Sequence, residues 1–305
     1  MTADPRVAFL CLGVMGGPMA GHLARAGLPV TVYNRTRSRA DAWVETFAGS
    51  AARVAAADTP AEAAVGADFV FACTGADPDL EAITRGPGGA FETMAEGSLF
   101  VDHTTASATL ARGLAADAAT RGVGYLDAPV SGGQVGAEQG TLTIMVGGSE
   151  ADYQRAVPLL EHYARKHLLL GPVGHGQLTK MVNQICIAGL LQALSEGLDF
   201  AERVGLDARR VVEVISQGAA GSWQMENRAE TMIEGRFDFG FAVDWMRKDL
   251  GMAIEEGARH GAELPITERV DAAYAEIQRI GGGRLDTSSL ILALRDAGAG
   301  GDGQR

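Results

Sequence analysis

The residues best suited to carry out a reaction lie in one short segment, Gly174 to Gln184. The chain contains three lysines, Lys166, Lys180 and Lys248, and arginine carries the positive charge elsewhere. Arginine stays protonated in proteins, whereas a lysine in a dry pocket can have its pKa lowered toward neutrality and then exchange a proton. A lone lysine near a helix start is more often an ordinary surface residue. In a chain that contains so few lysines, however, the presence of one at this position favours a proton-transfer role for Lys180.

The residues that follow Lys180 extend this chemistry along one helix face. A helix that begins after Gly176 places Lys180, Asn183 and Gln184 at i, i+3 and i+4, so their side chains share a face. Two amides beside a proton-transfer group can bind a polar substrate. We therefore interpret Asn183 and Gln184 as candidate substrate-binding residues.

A glycine-rich turn follows the first apolar run of the chain. It has Gly13 and Gly16 at the second and third positions of the pattern G-x-G-x-x-G, and Cys11 at the first. Such a turn lets the backbone approach a pyrophosphate, and the next helix offers free N–H groups to it. The weakened motif is equally compatible with a structural turn, and a positive φ at Cys11 would be unfavourable. The candidate cofactor-binding residues of the turn are Leu12, Gly13, Val14, Met15 and Gly16.

The residues after the second apolar run indicate which form of the cofactor is preferred. An NAD-selective site usually has Asp or Glu at this point, but here the sequence is Asn34-Arg35-Thr36-Arg37. The two arginines would attract a 2′-phosphate, and Asn34 and Thr36 would add hydrogen bonds. We therefore predict that NADP is preferred and that NAD is possible. The alternative is that Arg35 and Arg37 lie in a surface turn and face water.

Short apolar runs alternate with helical patterns in the first half of the chain. The predicted strands are Val7–Leu12, Val30–Tyr33, Phe69–Cys73, Leu99–Asp102, Tyr125–Asp127, Leu142–Val146 and His167–Leu170. The predicted helices are 18–26, 38–47, 60–65 and 80–84. This alternation predicts a mostly parallel, doubly wound sheet with helices on both of its faces.

The pattern changes after the segment 171–174, and everything beyond it is predicted to be helical. No proline interrupts the helical period from Gln177 to Val204, about 28 residues or about 42 Å of helix, which is long enough to join two domains. Further helices are predicted at 207–217, 223–234, 244–260, 267–280 and 288–296. The prediction is an α/β Rossmann-like domain over 1–172, an all-α domain over 173–296 and a flexible tail over 297–305.

Bulk composition excludes several classes of protein. The chain has 305 residues, 47% of them hydrophobic and 21% charged, which is enough for two globular domains. A formal charge of −12 argues against nucleic acid or an anionic membrane as the main partner. The three cysteines are scattered, which predicts free thiols in a reducing compartment and no metal site. Without a signal-peptide pattern or a membrane-spanning run, we expect a cytoplasmic protein.

Together these segments resemble the β-hydroxyacid dehydrogenase family, which includes 3-hydroxyisobutyrate dehydrogenases and tartronate-semialdehyde reductases. The resemblance covers Val7 to about Ile291 and depends on six motifs, at 12–20, 102–107, 127–133, 140–148, 174–183 and 248–250. Two departures are Cys11 in the cofactor loop and Ala108, where proline is common. The resemblance implies a Rossmann-like domain followed by a helical domain, and a homodimer or homotetramer.

The resemblance also implies roles for individual residues. Thr105 would lie near the nicotinamide ribose, and Lys248 would reach the cofactor from the second domain. Cys73 and Thr74 are further candidates for cofactor binding. Ser131, Gly132 and Gly133 would hold a substrate carboxylate, because two glycines let backbone N–H groups face a ligand and the serine adds a hydroxyl. In isolation the same three residues would be read as a flexible loop.

The activity implied is NAD(P)-dependent oxidation of a short 3-hydroxy acid, such as 3-hydroxyisobutyrate, 3-hydroxypropionate or serine, with Lys180 as general acid and base. The small-molecule carboxylate would bind Ser131, the glycine amides and Asn183, and no metal is required. A reductase of small semialdehydes, such as tartronate or succinic semialdehyde or glyoxylate, is the first alternative. An imine reductase, which generally has another residue in place of the lysine, and a non-catalytic NADP-binding protein are the others. Chain length and the lack of a tight arginine cluster argue against a 6-phosphogluconate dehydrogenase.

Overall fold

The computed structural model describes residues 4–49 and 53–299. The chain divides into two compact units, Met1–Lys180 and Met181–Arg305. The first unit contains the sheets, and the second is built from helices alone within the described residues. The predicted fold class, an α/β domain followed by an all-α domain, is therefore confirmed.

A six-stranded parallel sheet forms the centre of the first unit. Its strands are β1 (Val7–Leu10), β2 (Val30–Tyr33), β3 (Val54–Ala56), β4 (Phe69–Ala72), β5 (Leu99–Asp102) and β6 (Gly124–Asp127). The strand order is β3-β2-β1-β4-β5-β6, and every neighbouring pair is parallel. The order reverses between β1 and β4, and in such sheets a ligand binds outside the carboxyl ends of the strands at this reversal.

Among the described residues of the first unit, seven α-helices accompany this sheet and the smaller one described below. They are α1 (Gly16–Arg25), α2 (Arg37–Phe47), α3 (Pro60–Ala64), α4 (Asp77–Thr84), α5 (Ala108–Ala119), α6 (Gly133–Gln139) and α7 (Glu150–Leu160). Alternate strand residues belong to two separate cores: Phe9 and Phe71 pack in one, and Ala8 and Val70 in the other. Because successive side chains of a strand point to opposite faces and both faces are buried, these strands are continuous apolar runs in the sequence.

A second, three-stranded sheet lies later in the first unit. Its strands are β7 (Val130–Ser131), β8 (Leu142–Val146) and β9 (Ala164–Leu169). β7 is antiparallel to β8, and β8 is parallel to β9. The last two predicted strands therefore belong to this separate sheet and do not extend the first one.

The second unit consists of helices packed around apolar side chains. α8 (His175–Arg203) begins in the first unit and ends in the second; α9 (Ala208–Ile215), α10 (Trp223–Ile233), α11 (Val243–Arg259), α12 (Pro265–Arg279) and α13 (Leu290–Ala299) follow. All six were predicted, with ends displaced by a few residues. Leu191 of α8, Leu250 of α11 and Tyr274 of α12 share one core. Of the predicted tail, 297–299 belong to α13, and 300–305 lie outside the described residues.

Within the described ranges, every helix is too short or too polar to cross a lipid bilayer. The three cysteines, Cys11, Cys73 and Cys186, are free thiols, as predicted. In the same part of the chain, no three His, Cys, Asp or Glu side chains are arranged to hold a metal ion.

Candidate functional site

The turn between β1 and α1 has the conformation that a dinucleotide-binding loop requires. Cys11 has φ of 74° and is the one non-glycine residue with positive φ in the described part of the chain. A left-handed conformation costs a non-glycine residue about 1–2 kcal/mol. Cys11 therefore adopts, with some strain, the conformation that a first glycine would adopt freely. Burial raises the pKa of its thiol to about 12, with a further contribution from Asp79.

The other two glycines of the turn have different functions. A Cβ atom on Gly16 would lie 2.1 Å from the carbonyl oxygen of Cys11, so only glycine allows α1 to start this close to β1. A Cβ atom on Gly13 would meet nothing within 4 Å, so the outer side of the turn is open. This combination of close helix packing and an open backbone fits a bound pyrophosphate.

The side chain of Asn34 makes two hydrogen bonds within the protein, and its predicted contact to the cofactor stays a prediction. Its Oδ1 accepts a hydrogen bond of 2.9 Å from the backbone N–H of Leu12, and its Nδ2 donates to the carbonyl of Thr36 at 3.0 Å. Asn34 therefore ties the end of β2 to the glycine turn. The side chain of Thr36 makes no capping hydrogen bond at the start of α2, and Thr36 is exposed.

The two arginines after β2 differ in how strongly they are paired. Arg37 donates to Asp41 at 2.7 Å and contacts Asp58 as well. The side chain of Arg35 is 86% exposed, and its Nη1 lies 3.3 Å from Asp79 Oδ1. Arg35 is thus the more accessible cation at this strand end, whereas two carboxylates already bind Arg37.

The ends of β4 and β5 are joined by two threonines. The backbone N–H of Thr74 donates to Thr104 Oγ1 at 2.9 Å, and the two hydroxyls are 3.2 Å apart. Cys73, the other candidate at this end of β4, is half-buried. Both predicted cofactor contacts therefore lie at the carboxyl edge of the sheet, next to β1.

Two buried ionisable groups lie at the end of β5: Asp102 is its last residue, and His103 follows it. Asp102 accepts hydrogen bonds from the backbone N–H of Thr104 at 2.9 Å and from the hydroxyl of Tyr125 at 3.2 Å. Burial raises the pKa of Asp102 to about 7 despite these bonds. His103 lies between the carbonyl of Ala128 and the hydroxyl of Tyr163, and burial lowers its pKa to about 4. His103 is therefore neutral near pH 7, which leaves it a structural role.

The raised pKa of Asp102 predicts a pH dependence of stability. A carboxyl group with a higher pKa in the folded protein than in the unfolded chain adds stability below the unfolded pKa, and this is lost as the pH rises through the folded pKa. We therefore expect Asp102 to contribute a fall in the free energy of unfolding between about pH 4 and about pH 7, whereas the buried His103, with its lowered pKa, contributes a rise over much of the same range. Asp102→Asn should reduce this fall by an amount on the order of a few kcal/mol, measured by urea unfolding at a series of pH values.

Asparagine is a suitable replacement because its carbonyl oxygen can still accept from Thr104 and its amide can donate to Tyr125. Asp127 contributes a fall of the same sign as Asp102, since burial raises its pKa to about 6, and Asp102→Asn should leave that contribution in place. Asp238→Asn, at an exposed position, is the matched control. An identical pH profile for Asp102→Asn and the unmodified protein would contradict the prediction.

Asp127 fixes the start of α8. Its Oδ1 accepts from the backbone N–H of Gly174 at 2.7 Å, and its Oδ2 accepts from that of Gln177 at 2.9 Å. A Cβ atom on Gly176 would lie 2.4 Å from the carbonyl of Asp127 and 2.5 Å from that of Met145. The two glycines of the segment thus let the first turn of α8 pack directly on the ends of β6 and β8.

Gln177 makes a second connection from the same turn, and the sequence analysis missed it. Its Oε1 accepts from the backbone N–H of Ala106 at 3.0 Å, and its Nε2 donates to the carbonyl of Thr104 at 2.7 Å. Thr105, the predicted neighbour of the nicotinamide ribose, lies between these two bonded residues and is half-buried. The available signal was the spacing, since Gln177 precedes Lys180 by one helical turn.

Lys180 itself is buried, with 7% of its surface exposed. A lysine is almost never this buried as an ordinary surface residue, so the surface interpretation is wrong. The backbone of Lys180 lies in the turn of α8 that follows Gly174 and Gln177, the two residues whose N–H groups donate to the carboxylate of Asp127. The start of the helix that carries Lys180 is therefore bonded to the end of β6 and to the loop after β5.

The Ser131 turn is more ordered than a flexible loop. Ser131 ends β7 and is half-buried, and Gly132 and Gly133 have φ of 131° and 62°. These conformations favour glycine, and Gly133 is also the first residue of α6, a helix that the sequence analysis did not predict. Both glycines are exposed, so a ligand can approach the backbone here.

The remaining candidates belong to the helical unit, where they form a chain of polar contacts. Asn183 Nδ2 donates to Gln184 Oε1 at 2.8 Å, and Gln184 Nε2 donates to Asp249 Oδ2 at 2.7 Å. Lys248 Nζ lies 3.2 Å from Asp249 Oδ1 and 5.6 Å from the centroid of the Trp245 ring. Gln184 is buried, with both ends of its amide in use. The predicted ligand contacts of Asn183, Gln184 and Lys248 stay predictions.

Two family models match consecutive parts of the chain. Residues 6–171 match the NAD binding domain of 6-phosphogluconate dehydrogenase. Residues 174–294 match a family described as NAD-binding of NADP-dependent 3-hydroxyisobutyrate dehydrogenase. Both descriptions name a nicotinamide cofactor, in agreement with the geometry of the glycine turn.

Similar proteins match over nearly the whole chain. A protein of Shewanella frigidimarina, named only as an oxidoreductase, is 55% identical over 95% of this chain and 98% of its own length. The 2-hydroxy-3-oxopropionate reductase of Escherichia coli is 36% identical over 95% of this chain and 97% of its own length. The solved structure of Mycobacterium tuberculosis 3-hydroxyisobutyrate dehydrogenase with L-serine is 31% identical, has a TM-score of 0.84, and covers 96% of this chain and 100% of that one.

Proposed function

We propose that this chain, which belongs to the β-hydroxyacid dehydrogenase family, transfers a hydride between NADP and a short 3-hydroxy acid. The coarser activity, that of an NAD(P)-dependent oxidoreductase, follows from the family. The observation that carries the finer proposal is the buried Lys180 on an anchored helix turn. The chain's own residues must hold the substrate, position it and move one proton.

Lys180 is the proposed general acid and base. A bound nicotinamide cofactor accepts or supplies the hydride. The neutral amine of Lys180 takes the proton from the substrate hydroxyl in the oxidation direction, and the ammonium returns it to the developing alkoxide in reduction. Among the described residues near the start of α8, His103 is unsuited to this role because its low pKa keeps it neutral and both ring nitrogens are bonded.

The proposed substrate-binding residues recognise a carboxylate. The hydroxyl of Ser131 and the backbone N–H groups of Gly132 and Gly133, two exposed residues, are donors suited to an anion. Asn183 lies three residues after Lys180 on α8, so its amide can bind the same small molecule. Similarity to a dehydrogenase solved with L-serine supports a short acid with its hydroxyl on the third carbon.

Reduction of a small semialdehyde is the second candidate. Similarity to the reductase of 2-hydroxy-3-oxopropionate favours it. The same lysine would serve both directions, because the proton it removes in oxidation is the one it returns in reduction. A buried lysine at this position argues against the imine-reductase alternative.

An assay of the purified protein with NADPH, NADP, NADH and NAD tests the proposal. The panel contains 3-hydroxyisobutyrate, 3-hydroxypropionate, serine, the matching semialdehydes and one cyclic imine. We expect turnover of at least one 3-hydroxy acid or semialdehyde and none of the imine. A protein that binds NADPH but turns over no member of the panel would instead be the non-catalytic NADP-binding protein.

The preference for NADP is proposed from Arg35 and is tested by removing its charge. Arg35→Ala should weaken NADPH binding by about tenfold with little change for NADH, because a hydrogen bond between charged groups contributes about 1.5–3 kcal/mol and exposure reduces it. Asp79→Asn should act in the opposite direction, since Asp79 competes for the same guanidinium. Fluorescence titration of each variant with NADPH and with NADH measures the two dissociation constants.

The exposed Arg39 of α2 offers the matched control, and Arg39→Ala should leave the ratio of the two dissociation constants unchanged. Equal losses for NADPH and NADH in Arg35→Ala would show that Arg35 does not select the 2′-phosphate.

Assembly as a homodimer or homotetramer is also proposed. Exposed apolar side chains of the helical unit, such as Phe200 and Val214, support it.

A further inference from the structure

We propose that Gln177 is a positioning residue that holds Lys180 in alignment with the loop around Thr105. This inference rests on the proposed function of Lys180. Gln177 is 1% exposed and lies in the first turn of α8, on the same face as Lys180 three residues later.

The amide of Gln177 bonds both peptide groups that flank Thr105. It accepts from the N–H of Ala106 at 3.0 Å and donates to the carbonyl of Thr104 at 2.7 Å. Because one planar amide makes both bonds, the loop can neither slide nor rotate against the helix without losing one of them. Ala106 and Thr104 are buried, so water does not readily replace a lost partner.

The helix side of this connection is equally fixed. The backbone N–H of Gln177 donates to the buried Asp127, and Gly176 packs against the carbonyls of Asp127 and Met145. The loop side is held as well, since Thr104 donates to Asp102 and its hydroxyl accepts from Thr74. Gln177 is therefore the link between two rigid pieces of the first unit.

This link matters because hydride and proton transfer require a close alignment of the reacting groups. A misplacement of about 1 Å can lower a rate by about 10²-fold. Thr105 is the residue proposed to lie near the nicotinamide ribose, and Lys180 is the residue proposed to move the proton. Gln177 sets the distance between them without itself touching the substrate.

Gln177→Leu removes both hydrogen bonds at similar volume. We expect kcat to fall by about 10- to 100-fold, and KM for the acid to change by less than about threefold. The kinetic isotope effect with NADPH deuterated at C4 should rise, because misalignment slows the hydride step relative to product release. Independently of activity, hydrogen exchange at the amide of Ala106 should become faster. Gln192→Leu, the same change later in α8, is the matched control.

Gln177→Glu keeps the shape and covers the case in which the leucine variant does not fold. Its carboxylate can accept from Ala106 but places a second oxygen against the carbonyl of Thr104. Lowered kcat in this variant supports a role in alignment, whereas a role limited to filling space predicts unchanged kcat.

Two further outcomes separate this inference from the proposed function. Unchanged kcat and unchanged exchange at Ala106 in Gln177→Leu, together with an inactive Lys180→Ala, would overturn the inference alone. Retained activity in Lys180→Ala would overturn the proposed function.

Discussion

Lys180→Ala is expected to lower kcat by about 10²- to 10⁴-fold, the range that a general acid and base contributes. The amine is the proposed proton acceptor in oxidation, and alanine leaves the developing alkoxide without a proton partner. NADPH should still bind, because the glycine turn that fits the pyrophosphate is formed by other residues. Steady-state kinetics in both directions and a fluorescence titration with NADPH measure the two effects.

Two substitutions separate proton transfer from charge. Lys166→Ala changes an exposed lysine of β9 and should leave kcat unchanged. Lys180→Arg keeps a positive charge but cannot release a proton near neutral pH, so it should be nearly as inactive as alanine. Wild-type turnover in Lys180→Ala would remove the lysine from the mechanism.

Gly16→Ala is expected to destabilise the protein by about 3 kcal/mol and to abolish NADPH binding. The added Cβ would lie 2.1 Å from the carbonyl oxygen of Cys11, and 3.1 Å from the ring of Phe9. Since the first contact is with backbone, relief requires that α1 move away from β1 or that the turn deform. Thermal unfolding and cofactor titration report the two consequences.

The neighbouring glycines provide matched controls with different expected results. Gly17→Ala places its Cβ at an ordinary 3.8 Å from the carbonyl of Leu12, so both stability and binding should be kept. The Cβ added by Gly13→Ala would have no protein atom within 4 Å, so this variant should fold normally. Its methyl group would, however, face the bound pyrophosphate and weaken NADPH binding. Full stability in Gly16→Ala would contradict the close-packing argument.

Most strands and helices were predictable because burial leaves a regular pattern. β2, β5 and β8 were predicted with the bounds that the structure has, since each is a compact apolar run. β3 was missed because three residues are too few to establish a period. Helices α5, α6 and α7 were missed as well. α5 and α6 are rich in alanine and glycine, and such segments carry little contrast between a buried and an exposed face, whereas α7 carries a proline, Pro158, inside the helix.

The polar contacts of the site were harder to predict than its motifs. Asn34 is proposed to bind the cofactor, but its hydrogen bond to the backbone N–H of Leu12 was not predicted, because it depends on the adjacent turn folding next to the end of β2. Arg37 is proposed to attract a phosphate, but its ion pairs were not predicted: Asp41 lies one helix turn away, and Asp58 lies 21 residues along the chain. Such pairings depend on which loops meet at the sheet edge.

The sequence by itself determined the class of fold, the family and the candidate proton-transfer residue, because glycine spacing, apolar periodicity and the rarity of lysine are local properties of the chain. Only the tertiary structure decided that Lys180 is buried and that Asp127 and Gln177 fix its helix to the ends of β5 and β6. These bonds join residues separated by 50 to 73 positions. Pairing over such separations depends on how the strands are ordered in the sheet, which no local pattern specifies.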